Sequence, residues 1–368
     1  MDTVESRVTA NPSKLGAWPA GAALSRERWA ATLLALAGIA VLTLLVCLQF
    51  GAESIGLRAT LQILGEAIRH GQAGIDGAGA TGVILIQVRL PRILLGFLVG
   101  ASLATVGGAL QALLRNPLAD PYVLGISSGA ALGASLAVLL GLEAGGWGLS
   151  VLPLCAFAGA LLSIFLVYRI AASGGRLPIH TLLLAGVILN AIFSALIMFA
   201  TSMMTPAKSF GMMAWLMGSL TGLDYAGLLW LSLYAAVGLI ILFRLAETLN
   251  LMTLGEESAR SLGVEVDRVR KMLFVIAALL TGAVVSVSGM IGFVGMVIPH
   301  VVRLLFGPDH RLLLPSCALV GGVLLTAADT VARTALAPAE FPVGVVTALV
   351  GGPFFIYLLM SRKGGVIG

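Results

Sequence analysis

The 22 cations, 17 acids, 4 histidines and 3 cysteines of this chain exclude more chemistry by their spacing than they allow. A P-loop needs Gly-Lys-Ser/Thr, because glycine amides cradle the phosphate while the lysine reaches it. The lysines here are Lys14, Lys208, Lys271 and Lys363, and none follows a glycine. The chain therefore carries no such nucleotide motor. His70, His180, His300 and His310 lack ligand spacing, so no metal site is expected. Cys47, Cys155 and Cys317 each sit in an apolar run, which suits packing rather than disulfides. An ion-coupled carrier would need an acid deep in an apolar segment. Asp329 is the one that qualifies, and it lies four residues before Arg333. Two readings stay open for it: an ion pair along one helix face, or a coupling site.

The elements that must hold these residues follow from composition. Apolar residues make up 59% and charged residues 11% of the chain, with a mean hydropathy of +1.04. A soluble domain is about a quarter charged, so lipid is the solvent for most of this surface. In lipid the backbone must satisfy itself, which leaves helices or a closed barrel. The apolar runs are long and lack strand alternation, so they predict helices. Spans are expected at 29–50, 89–114, 121–141, 149–172, 179–204, 225–246, 268–289, 294–306, 310–334 and 343–362. The eighth is too short to cross alone. The first is too long for a signal-peptide core and is expected to be retained. The 46 glycines suit close helix approach.

An even number of spans puts both termini on one side. With that side inside, 16 of the 22 Lys and Arg residues fall inside, as the positive-inside tendency requires. The net charge of +5 is thus read through its sidedness, not as nucleic-acid binding. The outer loop 51–88 is glycine-rich. The inner loop 250–267 has helical composition and two pairs, Leu254-Gly255 and Leu262-Gly263, around Glu256, Glu257, Ala259 and Arg260. Glycine stops helices, so two short helices are expected across the inner face. Gly100-Ala101, Gly107 and Pro117 recur in spacing as Gly282-Ala283, Gly289 and Pro299. That suggests an inverted repeat, as in many transporters.

Several motifs occur in order along the chain. Arg89-Leu90-Pro91-Arg92 opens the second span. Gly107-Gly108-Ala109-Leu110-Gln111, Asn116-Pro117-Leu118-Ala119-Asp120-Pro121 and Leu124-Gly125-Ile126-Ser127-Ser128-Gly129 follow. Trp215-Leu216-Met217-Gly218-Ser219, the two Leu-Gly pairs, Gly292-Phe293-Val294-Gly295 with Pro299-His300, and Pro342-Val343-Gly344 complete the set. Together they resemble the permease family of binding-protein-dependent ABC importers for ferric siderophores, haem and cobalamin, over nearly all of 29–362. The resemblance implies an all-α homodimer of ten-span subunits. It also implies two separate ATPase subunits holding ATP and Mg, and one periplasmic binding protein. No cofactor belongs to the chain itself, and no covalent chemistry.

The resemblance further implies roles for single residues. Arg89, Arg92 and Arg333 would receive acidic residues of the binding protein; the competing reading is snorkelling anchors. Leu254, Gly255, Glu256, Glu257, Ala259, Arg260, Leu262 and Gly263 would form the element that couples to the ATPase. Asn116 and Leu118 match an inner gate. Ile179 and His180 match a second gate position that carries small hydroxyl residues in the cobalamin member. Met198, Met203 and Met204 suit a pathway wall that passes a large, partly apolar solute, and suit core filling equally. The expectation is an inner-membrane permease, with tails at 1–28 and 363–368 around a domain at 29–362. Its cargo would be an iron chelate, haem ahead of ferric siderophores, with cobalamin and ion-coupled transport as alternatives.

Overall fold

A computed structural model describes residues 26–51, 53–142, 151–172, 177–220, 223–337 and 339–363. The expected tails at 1–28 and 363–368 lie outside the described residues, except for 26–28 and 363. Each of the ten predicted spans coincides with a helix. Among the described residues, seven helices are long and apolar enough to cross a membrane. They are α1 (Arg26–Gln49), the rod that ends in α5 (Leu90–Leu114), α7 (Val151–Ala171), α8 (Ile179–Ser202), α10 (Tyr225–Arg244), α13 (Val266–Ser288) and α15 (His310–Thr334). Three more carry shorter apolar stretches: α6 (Ile126–Leu139), α14 (Val294–Phe306) and α16 (Val343–Lys363). This is a multi-pass, all-helical membrane fold.

Its burial pattern is inside out for a soluble protein. Along α7 the buried stripe is small: Ala156, Ala160, Ser163, Val167 and Ala171. Leu154, Leu161, Leu162, Phe165 and Ile170 on the same helix are exposed. Large apolar groups face lipid, and small ones let backbones approach where no hydrophobic drive brings helices together. Gly129 on α6 and Gly159 on α7 show this: a methyl on either would strike the other's carbonyl. Gly100 on α5 and Gly321 on α15 interlock in the same way, as do Gly107 on α5 and the Gly295 backbone on α14. These contacts make α5 the axis of the subunit, buried over nearly its whole length and packed on α13, α14 and α15.

The structure differs from the sequence reading in four places. The outer loop 51–88 is mostly helix. It holds α2 (Leu57–His70), α3 (Gln72–Gly77) and α4 (Gly79–Val83), and a π-helical stretch Ile84–Arg89 feeds α5. A short α9 (Pro206–Leu216) follows α8. The third span is split, a 3₁₀ turn Pro121–Leu124 preceding α6, with Gly125 at φ 76° between them. Finally, the matched glycines do unlike work: Gly107 lies mid-helix, whereas Gly289 ends α13 at φ 65°.

Candidate functional site

One end of the bundle gathers the three arginines singled out from sequence. Arg89 is 5% exposed and donates to the carbonyls of Leu48 (3.1 Å), Gln49 (3.3 Å) and Glu53. These include carbonyls that the last turn of α1 leaves without a helical partner, and a cation there complements the helix dipole. Arg333 likewise donates to the Cys47 carbonyl at 2.9 Å and to Thr330 Oγ1 at 3.3 Å. Arg92 grips Asp329 with two nitrogens, Nε to Oδ2 and Nη2 to Oδ1, both at 2.9 Å. Its Nη1 reaches Glu340 at 2.9 Å. The i,i+4 pair of Asp329 with Arg333 exists at 3.8 Å, but it is the weaker of the two. The principal partner of Asp329 comes from α5, and no spacing within α15 could have revealed it. Two of the three arginines are therefore buried and occupied in tying α1 to α5 and α15. Arg92, through Glu340, is the one that meets a half-exposed partner. All three, with Gly51, Glu53, Ile84, Val88 and Glu340, line a cleft of about 350 Å³.

The opposite end carries the Leu-Gly segment. Here α11 (Ala246–Thr253) and α12 (Glu256–Ser261) are the two short helices between α10 and α13. Gly255 at φ 126° and Gly263 at φ 85° make the two breaks; both angles are conformations that glycine adopts without a Cβ clash. Burial divides the segment cleanly. Leu249, Met252 and Ala259 are in the core, while Leu254, Glu257, Arg260 and Leu262 are exposed. The result is a projecting helix with a leucine at each flank and charges between.

The segment is fixed from below. Asn250 donates from Nδ2 to Asp309 Oδ1 (2.8 Å) and accepts at Oδ1 from the His310 amide (2.9 Å). Burial pushes the Asp309 carboxyl up, but hydrogen bonds from Arg311 and Asn250 outweigh it and hold the group below its ordinary value. Arg311 also lies over the Trp29 ring, 4.8 Å from its centroid, which joins α1 to the same end. Sequence reasoning passed over Asn250, Asp309 and Arg270. Arg270 is buried on α13 and meets Glu256 and the Leu177 carbonyl. Its one sequence signal was a cation set inside the first turns of an apolar helix.

Asn116 and Leu118 are exposed in the turn after α5, where Asn116 Oδ1 accepts from the Leu118 amide at 2.9 Å. Ile179 and His180 begin α8, the first half-buried and the second exposed. Met198 and Met203 are exposed, whereas Met204 packs on the core. Among the described residues no group of three His, Cys, Asp or Glu could hold a metal ion.

Residues 35–361 of the chain match the FecCD transport family. The chain belongs to the FecCD transport family. Among its relatives, the cobalamin import system permease protein BtuC of Halobacterium salinarum is 48% identical over 286 residues, which is 76% of this chain and 74% of that protein. The vitamin B12 import system permease protein BtuC of Salmonella paratyphi A is 45% identical over 288 residues, 78% of this chain and 86% of that protein. The uncharacterized ABC transporter permease protein YvrB of Bacillus subtilis is 37% identical over 345 residues, covering 93% and 96%. A solved metal-chelate type ABC transporter in an inward-facing conformation superposes with a TM-score of 0.75 at 32% identity, covering 90% of this chain and 99% of that one.

Membership in the FecCD family makes this chain a transport protein of the membrane. The match also spans both ends of the bundle. The arginine cluster and the α11–α12 projection are thus parts of one transport unit.

Proposed function

We propose that this chain is the permease subunit of an ATP-driven importer whose cargo is a large metal chelate, with a corrinoid as the first choice. The observation that carries the corrinoid assignment is the 48% and 45% identity to cobalamin permeases of two distant organisms. Haem, favoured from sequence on methionine content and on the lack of polar residues in the spans, loses the first of these supports for a physical reason. Met198 and Met203 lie five positions apart, which is roughly 140° around a helix, and Met212 is 1% exposed. The methionines therefore do not make one continuous wall. The departure at Ile179 and His180 concerns two side chains beside a match that runs the length of the bundle.

The α12 projection is read as the surface that a separate ATPase grips, and its face as the cytoplasmic one. Exposed leucines around a charged centre suit a recessed partner site, since apolar anchors supply affinity and charges supply orientation. The arginine end is then periplasmic, where a binding protein delivers cargo to a homodimer of this chain. Arg92 is the residue best placed to exchange a half-exposed internal carboxylate for one from that partner.

The test is uptake into proteoliposomes holding this chain and the ATPase encoded with it, supplied with the companion binding protein and labelled cyanocobalamin, haem or a ferric siderophore. Cyanocobalamin accumulation that needs ATP is expected. Uptake without the ATPase would overturn the importer reading, and uptake of haem alone would overturn the corrinoid assignment.

A further inference from the structure

On the α12 side, Arg270 joins three elements. It belongs to α13 and is 5% exposed. Its Nη2 meets Glu256, the first residue of α12, and its Nη1 donates to the Leu177 carbonyl at 3.1 Å. Asp267 Oδ1, one turn back on α13, stands 3.8 Å from Nη1. Leu177 is 1% exposed and leads, through Pro178 as N-cap, into α8 at Ile179. The link therefore runs from the projecting helix to the first turn of α8.

The chemistry of the link bears on what it can transmit. A guanidinium presents its donors in a rigid planar fork, so two bonds from one head fix the direction between their acceptors. Bonds to a carboxylate are charge-assisted and stronger than neutral ones. A lysine would keep the charge and still reach one acceptor, but as a point charge it would not hold both in a fixed geometry. The acceptors also differ in kind. Glu256 is 42% exposed on an element that projects from the bundle, whereas Leu177 is buried backbone. One end of the link lies on the projecting element, and the other is seated at the start of a helix whose first turn is exposed at His180 and Thr181.

We infer that Arg270 is a positioning residue, a strut through which displacement of α12 moves the start of α8. The inference rests on the reading of α12 as the ATPase-gripped element and says how force applied there enters the bundle. A push on α12 reaches α8 through Glu256, Arg270 and the Leu177 carbonyl. Without the fork, α12 still binds the ATPase, but α8 ceases to follow.

The experiment uses the whole complex with Cys47, Cys155 and Cys317 replaced by alanine and one reporter thiol, Thr181→Cys. The rate of maleimide labelling is compared between the nucleotide-free and ATP-bound complex, with ATP hydrolysis and co-purification of the ATPase measured in the same samples. With Arg270 in place, the labelling rate is expected to change severalfold on ATP binding. Arg270→Lys and, separately, Arg270→Gln should bring that ratio to within about 1.5-fold of unity while the complex still assembles and hydrolyses ATP. Using two variants guards against one of them failing to assemble. A ratio that stays at its parental value in either assembled variant overturns the strut. A parental ratio of one overturns it as well. Failure of the importer reading looks different: no ATPase co-purifies with any variant, the parent included.

Discussion

Asp329 shows what a residue spacing can and cannot say. The sequence supplies one candidate partner, Arg333 at i+4, and the structure keeps that contact at 3.8 Å. The stronger grip comes from Arg92 on α5, 237 residues away in sequence. A carboxylate whose side chain is 2% exposed, held by two guanidiniums that are 12% and 5% exposed, is part of a closed charge set. Removing Asp329 leaves Arg92 only the half-exposed Glu340 and leaves Arg333 only neutral acceptors, and breaking a buried pair costs up to about 3–5 kcal/mol. Asp329→Asn is therefore expected to lower the thermal unfolding midpoint in detergent sharply. Glu340→Gln removes a half-exposed partner and should cost no more than about 1 kcal/mol. Equal midpoints for the two variants would show that the Arg92–Asp329 pair does not hold this end together. The same geometry explains why Arg89 and Arg333 read as surface residues from sequence. Their positions at span ends were visible, but the α1 carbonyls they serve belong to another segment.

At the scale of the elements, the long spans were legible because apolar run length alone identifies them. The segments between them were not. Residues 51–88 look like a glycine-rich loop, yet α2 forms there because Thr60 and Ile63 bury against its neighbours. Short helices owe their stability to tertiary packing rather than to propensity, and packing is invisible in composition. A signal existed: Leu57, Leu61, Leu64 and Ile68 recur at helical spacing. The glycines divide in the same way. Their number pointed to close helix packing, but only the structure separates the packed from the open. A side chain at Gly100 would collide with the Gly321 backbone, whereas nothing lies within 4 Å of a Cβ at Gly38. Gly100→Leu is expected to push α15 away from α5 and abolish recovery of folded protein. Gly38→Ala, in the middle of α1, should be neutral or stabilise by up to about 1 kcal/mol. Size-exclusion profiles and melting of the two variants side by side check this, and a well-folded Gly100→Leu protein would disprove the interlock.

At the scale of the whole molecule, sequence and structure each supply half of one proposal, namely which end faces the cytoplasm. The structure supplies the two ends. The start of α1 and the start of α15 share one, through Trp29 and Arg311, with α11 joined to it by Asn250 and Asp309. The close of α1, the start of α5 and the close of α15 share the other, through Arg89, Arg92 and Arg333. Sixteen of the 22 lysines and arginines fall to the α12 side when the spans are threaded this way, and cytoplasmic loops are the ones enriched in these residues. The six at the other side include Arg89, Arg92 and Arg333, which are spent on internal partners and so tell little about sidedness. Discounting them makes the asymmetry steeper. A thiol at Ser258 on α12 should thus react with a membrane-impermeant maleimide in inside-out vesicles and not in intact cells, and one at Glu53 should do the reverse. Cys47, Cys155 and Cys317 are first replaced so that no native thiol contributes. The opposite pattern would turn the molecule over in the membrane and put α12 beyond the reach of any cytoplasmic ATPase.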